Sequence, residues 1–209
     1  MIYDRLDVAE PIRQGDIFRD VPRVDLSTSQ ISVADDDAIR TMTWEDAIAD
    51  PVRKAGFAAV LPLKPVHAIV ITQNCDAVRG EFVSLCQIDM FSSIATPANS
   101  AKKWKSLIVR HTRENLRYFY LPADHAFGFP DRMAADLRVL IRVSRQDLER
   151  MRSRRLGRLN SLAYEHFRET IAQFFRRYPY DEWYSLTPEE LEEYQKDCPE
   201  PVHPFPWQE

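Results

Sequence analysis

The stretch AIVITQNCDAVRGEFVSLCQI, Ala68 to Ile88, places a cysteine beside a carboxylate where one apolar run stops and shortly before the next begins. Around it lie Lys64, His67, Arg79 and Asp89. These residue types can break a phosphodiester without a metal. A base removes a hydroxyl proton, a cation holds the phosphate, and an acid protonates the leaving oxygen. In that chemistry Asp76 or Asp89 is the base, Lys64 or Arg79 holds the phosphate, and His67 or His111 is the acid. Cys75 suggests a second chemistry, a thiolate nucleophile, which needs a neighbouring base such as His67, His111 or His125. Asp76 beside the sulfur works against that thiolate. Packing alone accounts for much of the same stretch: Asn74 and Asp76 are turn formers, Gly80 relaxes the return, and Cys86 belongs to an apolar strand.

Zinc ligands commonly arrive as CxxC or HxxxH pairs on one local turn. His67, Cys75 and Cys86 form no such pair, so no metal site is expected. Five glycines in 209 residues, with neither a P-loop nor a GxGxxG fingerprint, argue against a nucleotide cofactor, and none is expected.

A different signal comes from KKWKSLIVRHTRENLRYFY, which interleaves Lys102, Lys103, Lys105, Arg110, Arg113 and Arg117 with Trp104, Tyr118 and Tyr120. Cations neutralise phosphates while aromatic rings stack on bases, so this segment is expected to bind nucleic acid. RQDLERMRSRRLGR adds a second cluster, in which Arg154 and Arg155 are further candidate contacts. The charge is uneven: residues 1–100 hold nine Lys/Arg against fifteen Asp/Glu, residues 101–158 fifteen against six, and residues 159–209 four against eleven. A basic block between acidic flanks implies either an anionic partner or internal pairing.

The elements that must position these residues follow from periodicity. A first strand is expected around GDIF, with Gly15 before it as it leaves a tight turn and Pro22 after it. Residues 24–63 are polar and irregular, an insertion with one short helix between Thr43, its N-cap, and Pro51. Ala68–Thr72 and Phe82–Ile88 are strands expected to be buried on both faces, with a polar turn at Gln73 to Asp76. KSLIVRHT, NLRYFYLPAD and DLRVLIRV are expected to be three more strands, the first two joined by a turn at Thr112–Asn115. Ser144 caps a helix that Gly157 terminates, and a longer helix runs from Asn160 or Ser161 to Tyr178 with Leu162, Phe167, Ile171, Phe174, Phe175 and Tyr178 on one side. Thr187, Pro188 and Glu190 begin a short acidic helix in the tail, and CPEPVHPFPWQE is expected to be extended. Strands first and helices last indicate an α+β fold around a small barrel-like sheet.

Three stretches in this order resemble the PemK/MazF family of small SH3-like barrels, many of which are endoribonuclease toxins: GDIF with DVP, KPVHAIVITQNCD, and FVSLCQI. The close of the chain, VSRQDL and LGRLNSLAYEHFRETI, is similar to the family's end. The resemblance covers roughly residues 12–178, interrupted by the insertion. It implies a PemK-like β-barrel domain over 1–178 with a helical insertion at 24–63 and C-terminal helices, followed by an acidic, Pro-rich extension over 179–209. It also implies an RNA-directed, metal-independent endoribonuclease of a bacterial toxin–antitoxin or phage-defence setting, with RNA as substrate, an antitoxin or other protein as partner, and a homodimer as a compatible state. In active members an arginine before the second strand and a Thr or Ser after the third carry cleavage. Here those positions fall near Lys64 and at Asp89, with Ser92 and Ser93 nearby. Cys75 and Asp76 are not part of the toxin pattern.

Two other readings remain open at this level: a non-catalytic assembly module using the basic face and acidic tail, and a Cys75-dependent hydrolase. No basic segment followed by an apolar run opens the chain, no stretch approaches the roughly 18 apolar residues that span a bilayer, and three cysteines form no disulfide framework. A cytoplasmic location without membrane contact is the expectation.

Overall fold

The computed structural model describes residues 2–35, 38–54, 56–176 and 196. The chain forms two compact units, Met1–Ile171 and Ala172–Glu209. Among its described residues the first contains ten strands: β1 (Tyr3–Asp4), β2 (Asp16–Val24), β3 (Ile31–Asp35), β4 (Ala38–Met42), β5 (Ala59–Val60), β6 (Leu63–Val70), β7 (Phe82–Met90), β8 (Tyr118–Leu121), β9 (Met133–Ser144) and β10 (Arg155–Leu159). The helices are α1 (Trp44–Ala49), α2 (Pro51–Lys54), α3 (Asn74–Arg79), α4 (Phe91–Ile94), α5 (Ala101–Val109), α6 (Arg145–Arg150) and α7 (Ser161–Arg176). A π-helical turn, Arg110–Glu114, continues α5.

Seven strands make one antiparallel sheet in the order β1-β10-β2-β6-β7-β9-β8, an α+β arrangement. The expected barrel is not closed: among the described residues β1 pairs only with β10 and β8 only with β9. Side chains bridge the gap instead. Tyr3 Oη donates to Pro122 O at 2.8 Å, and its ring stacks on Phe127 at 4.3 Å. With two residues in β1 and four in β8, the edges are too short for a closing ladder.

Because side chains alternate across a strand, cross-strand partners share a face. One face joins Phe18, Ala68, Val70, Val83, Leu85, Ile141 and Val143, with Leu148 of α6 packed over them. The opposite face buries Ile17, Ile69 and Cys86, and Phe119 meets Phe167 of α7 at 4.9 Å. This two-sided burial gives β6 and β7 their near-continuous apolar sequence.

Four sequence expectations change. The first strand continues through Pro22 to Val24, because β10 covers only its beginning and Pro22, opposite Pro65, needs no donor on the outer side. A bulge between Phe18 and Val21 absorbs Asp20 at φ 55°. Residues 24–63 are not merely irregular: β4, β3 and β5 form a second sheet, with Ile31, Val33 and Ala47 buried. Their alternation is short and interrupted by acidic residues, which hid it. The expected helix is present, Thr43 Oγ1 accepting from Asp46 N at 3.1 Å. KSLIVRHT is helix α5 and its π turn, not strand, since Trp104, Leu107 and Ile108 pack at helical spacing and Ser100 caps the start. The β-branched centre had suggested otherwise. Gly157 ends no helix; it lies within β10.

Ser144 does cap α6, accepting from Asp147 N at 3.1 Å. α7 buries Ala163 and Phe167 but exposes Leu162 and Phe175, so the apolar side is narrower than the spacing suggested. Tyr178, the acidic tail helix, the Pro-rich end and Cys198 lie outside the described residues.

Candidate functional site

The face that carries Val83 and Leu85 on β7 continues with Gln87 and Asp89, and then Phe91 at the start of α4. On β9 the same face carries Val143 and Ile141, then Asp136, then Ala134. A polar band therefore separates two apolar clusters, one under α6 and one in which Phe91, Tyr118 and Ala134 meet Trp104, Leu107 and Ile108 of α5. The β7–β9 register jumps here from Cys86↔Leu140 to Gln87↔Asp136, a bulge that bends the strand and re-aims its side chains.

The band holds two linked sets side by side, with Gln87 opposite Asp136 in the register. Lys64 Nζ donates to Asp25 Oδ2 at 3.2 Å, and Arg23 Nε donates to Asp25 Oδ1 at 2.7 Å. Arg23 Nη1 also donates to Gln87 Oε1, and Gln87 Nε2 to Asp89 Oδ1 at 2.7 Å. Beside Gln87, Asp136 receives Arg117 through Nε at 3.1 Å and Nη2 at 2.6 Å, and accepts from Arg138 N at 3.0 Å. Hydrogen bonds from Arg23 and then Lys64 hold the Asp25 carboxyl below its ordinary range. Burial pushes Asp136 up, against the opposing pull of Arg117. Four cations and three carboxylates thus share one strip, an arrangement that can hold an anion and pass a proton.

Of the candidate residues, Lys64, Asp89 and Arg117 come together in this band. The others do not. His67 is on the opposite face of β6, its ring 5.8 Å from that of Phe129. Cys75, Asp76 and Arg79 sit on α3 beyond the far end of β6, roughly 20 Å from Lys64 at the usual strand rise. The polar turn expected there is this short helix. Asn74 is a clamp: its Oδ1 accepts from Gln14 N at 2.9 Å and its Nδ2 donates to Tyr164 Oη at 3.0 Å. Gly80 is required because a β-carbon would lie 2.7 Å from Asp76 O. Cys75 is exposed, and its sulfur contacts Asp76 Oδ1 at 3.5 Å; no histidine bonds it among the described residues.

The nucleic-acid candidates divide by face. Lys102, Lys103 and Lys105 of α5, with Arg110 and Arg113 of the π turn, are exposed. None of the five forms a salt bridge among the described residues. The aromatics between them point inward: Trp104 lies 5.9 Å from Phe91 with the Arg132 guanidinium 4.4 Å over it, and Tyr120 meets Phe91 edge-on at 5.7 Å. They pack the interior and are not free to stack on bases: α5 turns Trp104 toward its support, and strand alternation puts Tyr118 and Tyr120 on the same inner face of β8. Arg154 pairs with Asp20 at 3.4 Å, and Arg155, 2% exposed, is enclosed with Asp16. Arg155 cannot reach a phosphate.

Arg23, Asp25, Gln87 and Asp136 were not singled out from sequence. One signal was available: Arg23 with Asp25, and Gln87 with Asp89, are i,i+2 polar pairs at the ends of apolar runs, which in strands share a face.

Burial lowers the imidazoles of His67 and His111 below their ordinary value, His111 aided by Arg110 and Arg117. A histidine that resists protonation when folded favours the unfolded state as pH falls through its unfolded pKa of about 6.5. Stability should therefore decline between about pH 7.5 and 5.5. Urea midpoints across that range test this, and the slope should flatten in a His67→Phe, His111→Phe double variant. A midpoint independent of pH would contradict it.

Among the described residues no three His, Cys, Asp or Glu side chains gather as cation ligands, and no helix is long and apolar enough to cross a membrane. No protein-family model and no curated protein matches this chain.

Proposed function

We propose that this chain is an RNA-directed module of PemK/MazF-like type, an incompletely closed SH3-like barrel from a bacterial toxin or phage-defence setting, and that its polar band is a metal-independent endoribonuclease centre. One observation supports this above the rest. Lys64 and Asp89, the two positions that the resemblance marks, are joined on a single sheet face through Asp25, Arg23 and Gln87. Arg23 supplies the planar fork that lysine lacks. The exposed cations of α5 and the π turn lie beyond the adjoining apolar cluster, placed to hold flanking phosphates.

In the proposed reaction Arg23 and Lys64 exchange Asp25 for the scissile phosphate, which an exposed pair does at little cost. Asp89 takes the 2′-hydroxyl proton, that oxygen bonds to phosphorus, and the bond to the 5′ oxygen breaks. Water protonates the leaving oxygen, the hydroxide so formed takes the proton from Asp89, and a 2′,3′-cyclic phosphate remains.

The test is a mixed RNA pool incubated with full-length protein, with and without chelator, beside Asp89→Asn. Cleavage that ignores chelation, and falls roughly 100-fold or more in the variant, is expected. Intact RNA with a folded wild-type sample would overturn the catalytic reading.

A second reading, a non-catalytic assembly module, draws support from Asp25, which already occupies both Arg23 and Lys64, and from exposed Leu26, Ile39, Val52 and Leu63 in the insertion. It predicts intact RNA and no steep loss of RNA binding with salt.

A further inference from the structure

A cleft of about 610 Å³ opens along the outer edge of β8, lined by the π turn, by Ile2 and Pro122, and by the first turns of α7. That volume lies within the roughly 300–1,000 Å³ usual for small-molecule sites. The backbone of β8 gives the cleft its chemistry. Leu137 N donates to Arg117 O at 2.9 Å, so in the alternation of an antiparallel pair Arg117, Phe119 and Leu121 bond toward β9. The N–H and C=O groups of Tyr118 and Tyr120 therefore turn outward to the cleft. Each residue presents a donor and an acceptor side by side, the pattern that the edge of a nucleobase matches. Leu162 and Pro122 supply apolar surface for the base, and exposed Arg113 and His166 supply phosphate donors.

An extended peptide fits less well. The Tyr3–Pro122 hydrogen bond crosses one end of the gap, so a strand added to β8 cannot run through. A compact ligand with one planar polar edge and one anionic group is better matched.

We propose that this cleft binds a single unpaired nucleotide, its base edge on the backbone of Tyr118 and Tyr120 and its phosphate at Arg113 and His166. The proposal deepens the RNA-directed reading and rests on it only for the source of the nucleotide.

The test titrates the full chain with each of the four ribonucleoside 5′-monophosphates, with the matching nucleosides and with inorganic phosphate, followed by calorimetry or chemical-shift change. At least one monophosphate should saturate with Kd below about 1 mM. Arg113→Ala and His166→Ala, both surface changes, should each weaken it about tenfold or more while leaving the nucleoside unaffected. Failure of every monophosphate to saturate, equal binding of inorganic phosphate, or indifference to both substitutions would each overturn the proposal. The outcomes separate from those of the RNA assay. Monophosphate binding beside an intact RNA pool supports the cleft and removes the nuclease; cleaved RNA without monophosphate binding overturns the cleft alone.

Discussion

Replacing Asp16 by asparagine is expected to lower stability by about 3–5 kcal/mol, the usual cost of leaving buried charge without its partner. Asp16 is buried in β2, and both of its oxygens are engaged. Oδ2 accepts from Arg155 Nη1 at 3.0 Å and from Arg13 N at 3.1 Å, while Oδ1 pairs with Arg158 Nε. The same arginines fasten the segment before β2: Arg155 Nη2 donates to Asp7 O at 2.7 Å, and Arg158 Nη2 to Pro11 O at 2.9 Å. Removing one carboxylate charge thus strands a guanidinium that is 2% exposed and loosens the link between β10, β2 and residues 7–13. Urea unfolding of wild type and variant measures the loss. A change below about 1 kcal/mol would mean that this cluster does not hold the fold together. Arg155→Met with Asp16→Leu should be milder than Asp16→Asn alone, because the enclosed Arg155 charge goes with its partner while Arg158 keeps Glu10 at 3.4 Å.

Gly157→Ala should be the most damaging small substitution in the sheet, costing on the order of 3 kcal/mol. Gly157 lies in β10 at φ 155°, between β1 and β2. A β-carbon there would run into Asp4 O of β1 and lie 2.5 Å from Phe127 Cε2. The carbonyl cannot move without breaking the β1–β10 pair, and Phe127 is fixed between Tyr3 and Phe129. Thermal unfolding of Gly157→Ala beside Gly56→Ala makes the comparison, since nothing stands within 4 Å of a β-carbon at Gly56. A Gly157 variant as stable as wild type would mean that β1 is not seated against β10. The expected failure is local to the side of the sheet where Tyr3 bridges to Pro122, so it should also disturb the cleft beside β8.

Both expectations fall on residues that sequence reasoning had treated otherwise. Gly157 looked like a helix stop because it follows an arginine-rich helical segment; only the pairing of β10 with β1 and β2 gives it a strand's role. The arginines of RQDLERMRSRRLGR looked like one phosphate-binding cluster. In the fold they separate, Arg154 to Asp20, Arg155 and Arg158 to Asp16, and Arg152 to Glu149. The basic block between acidic flanks therefore resolves partly into internal pairing, while the lysines of α5 stay outward. Charge counted along the chain cannot distinguish these cases, because pairing depends on which strands become neighbours.

Local signals were sufficient where the interactions that shape an element are themselves local. Thr43 and Ser144 each cap a helix through the backbone three residues on, and the buried runs of β6 and β7 are legible from composition alone. Tertiary structure alone decided that Lys64 and Asp89 share a band with Arg23, Gln87 and Asp136, that Asp76 and Cys75 lie at the other end of β6, and that the sheet stays open between β1 and β8. Those facts depend on strand order, register and one bulge, which are properties of pairing between distant segments. A sequence specifies which side chains are available and how each short element alternates; which of them meet is settled by long-range register, where a shift of one residue exchanges the two faces of a strand.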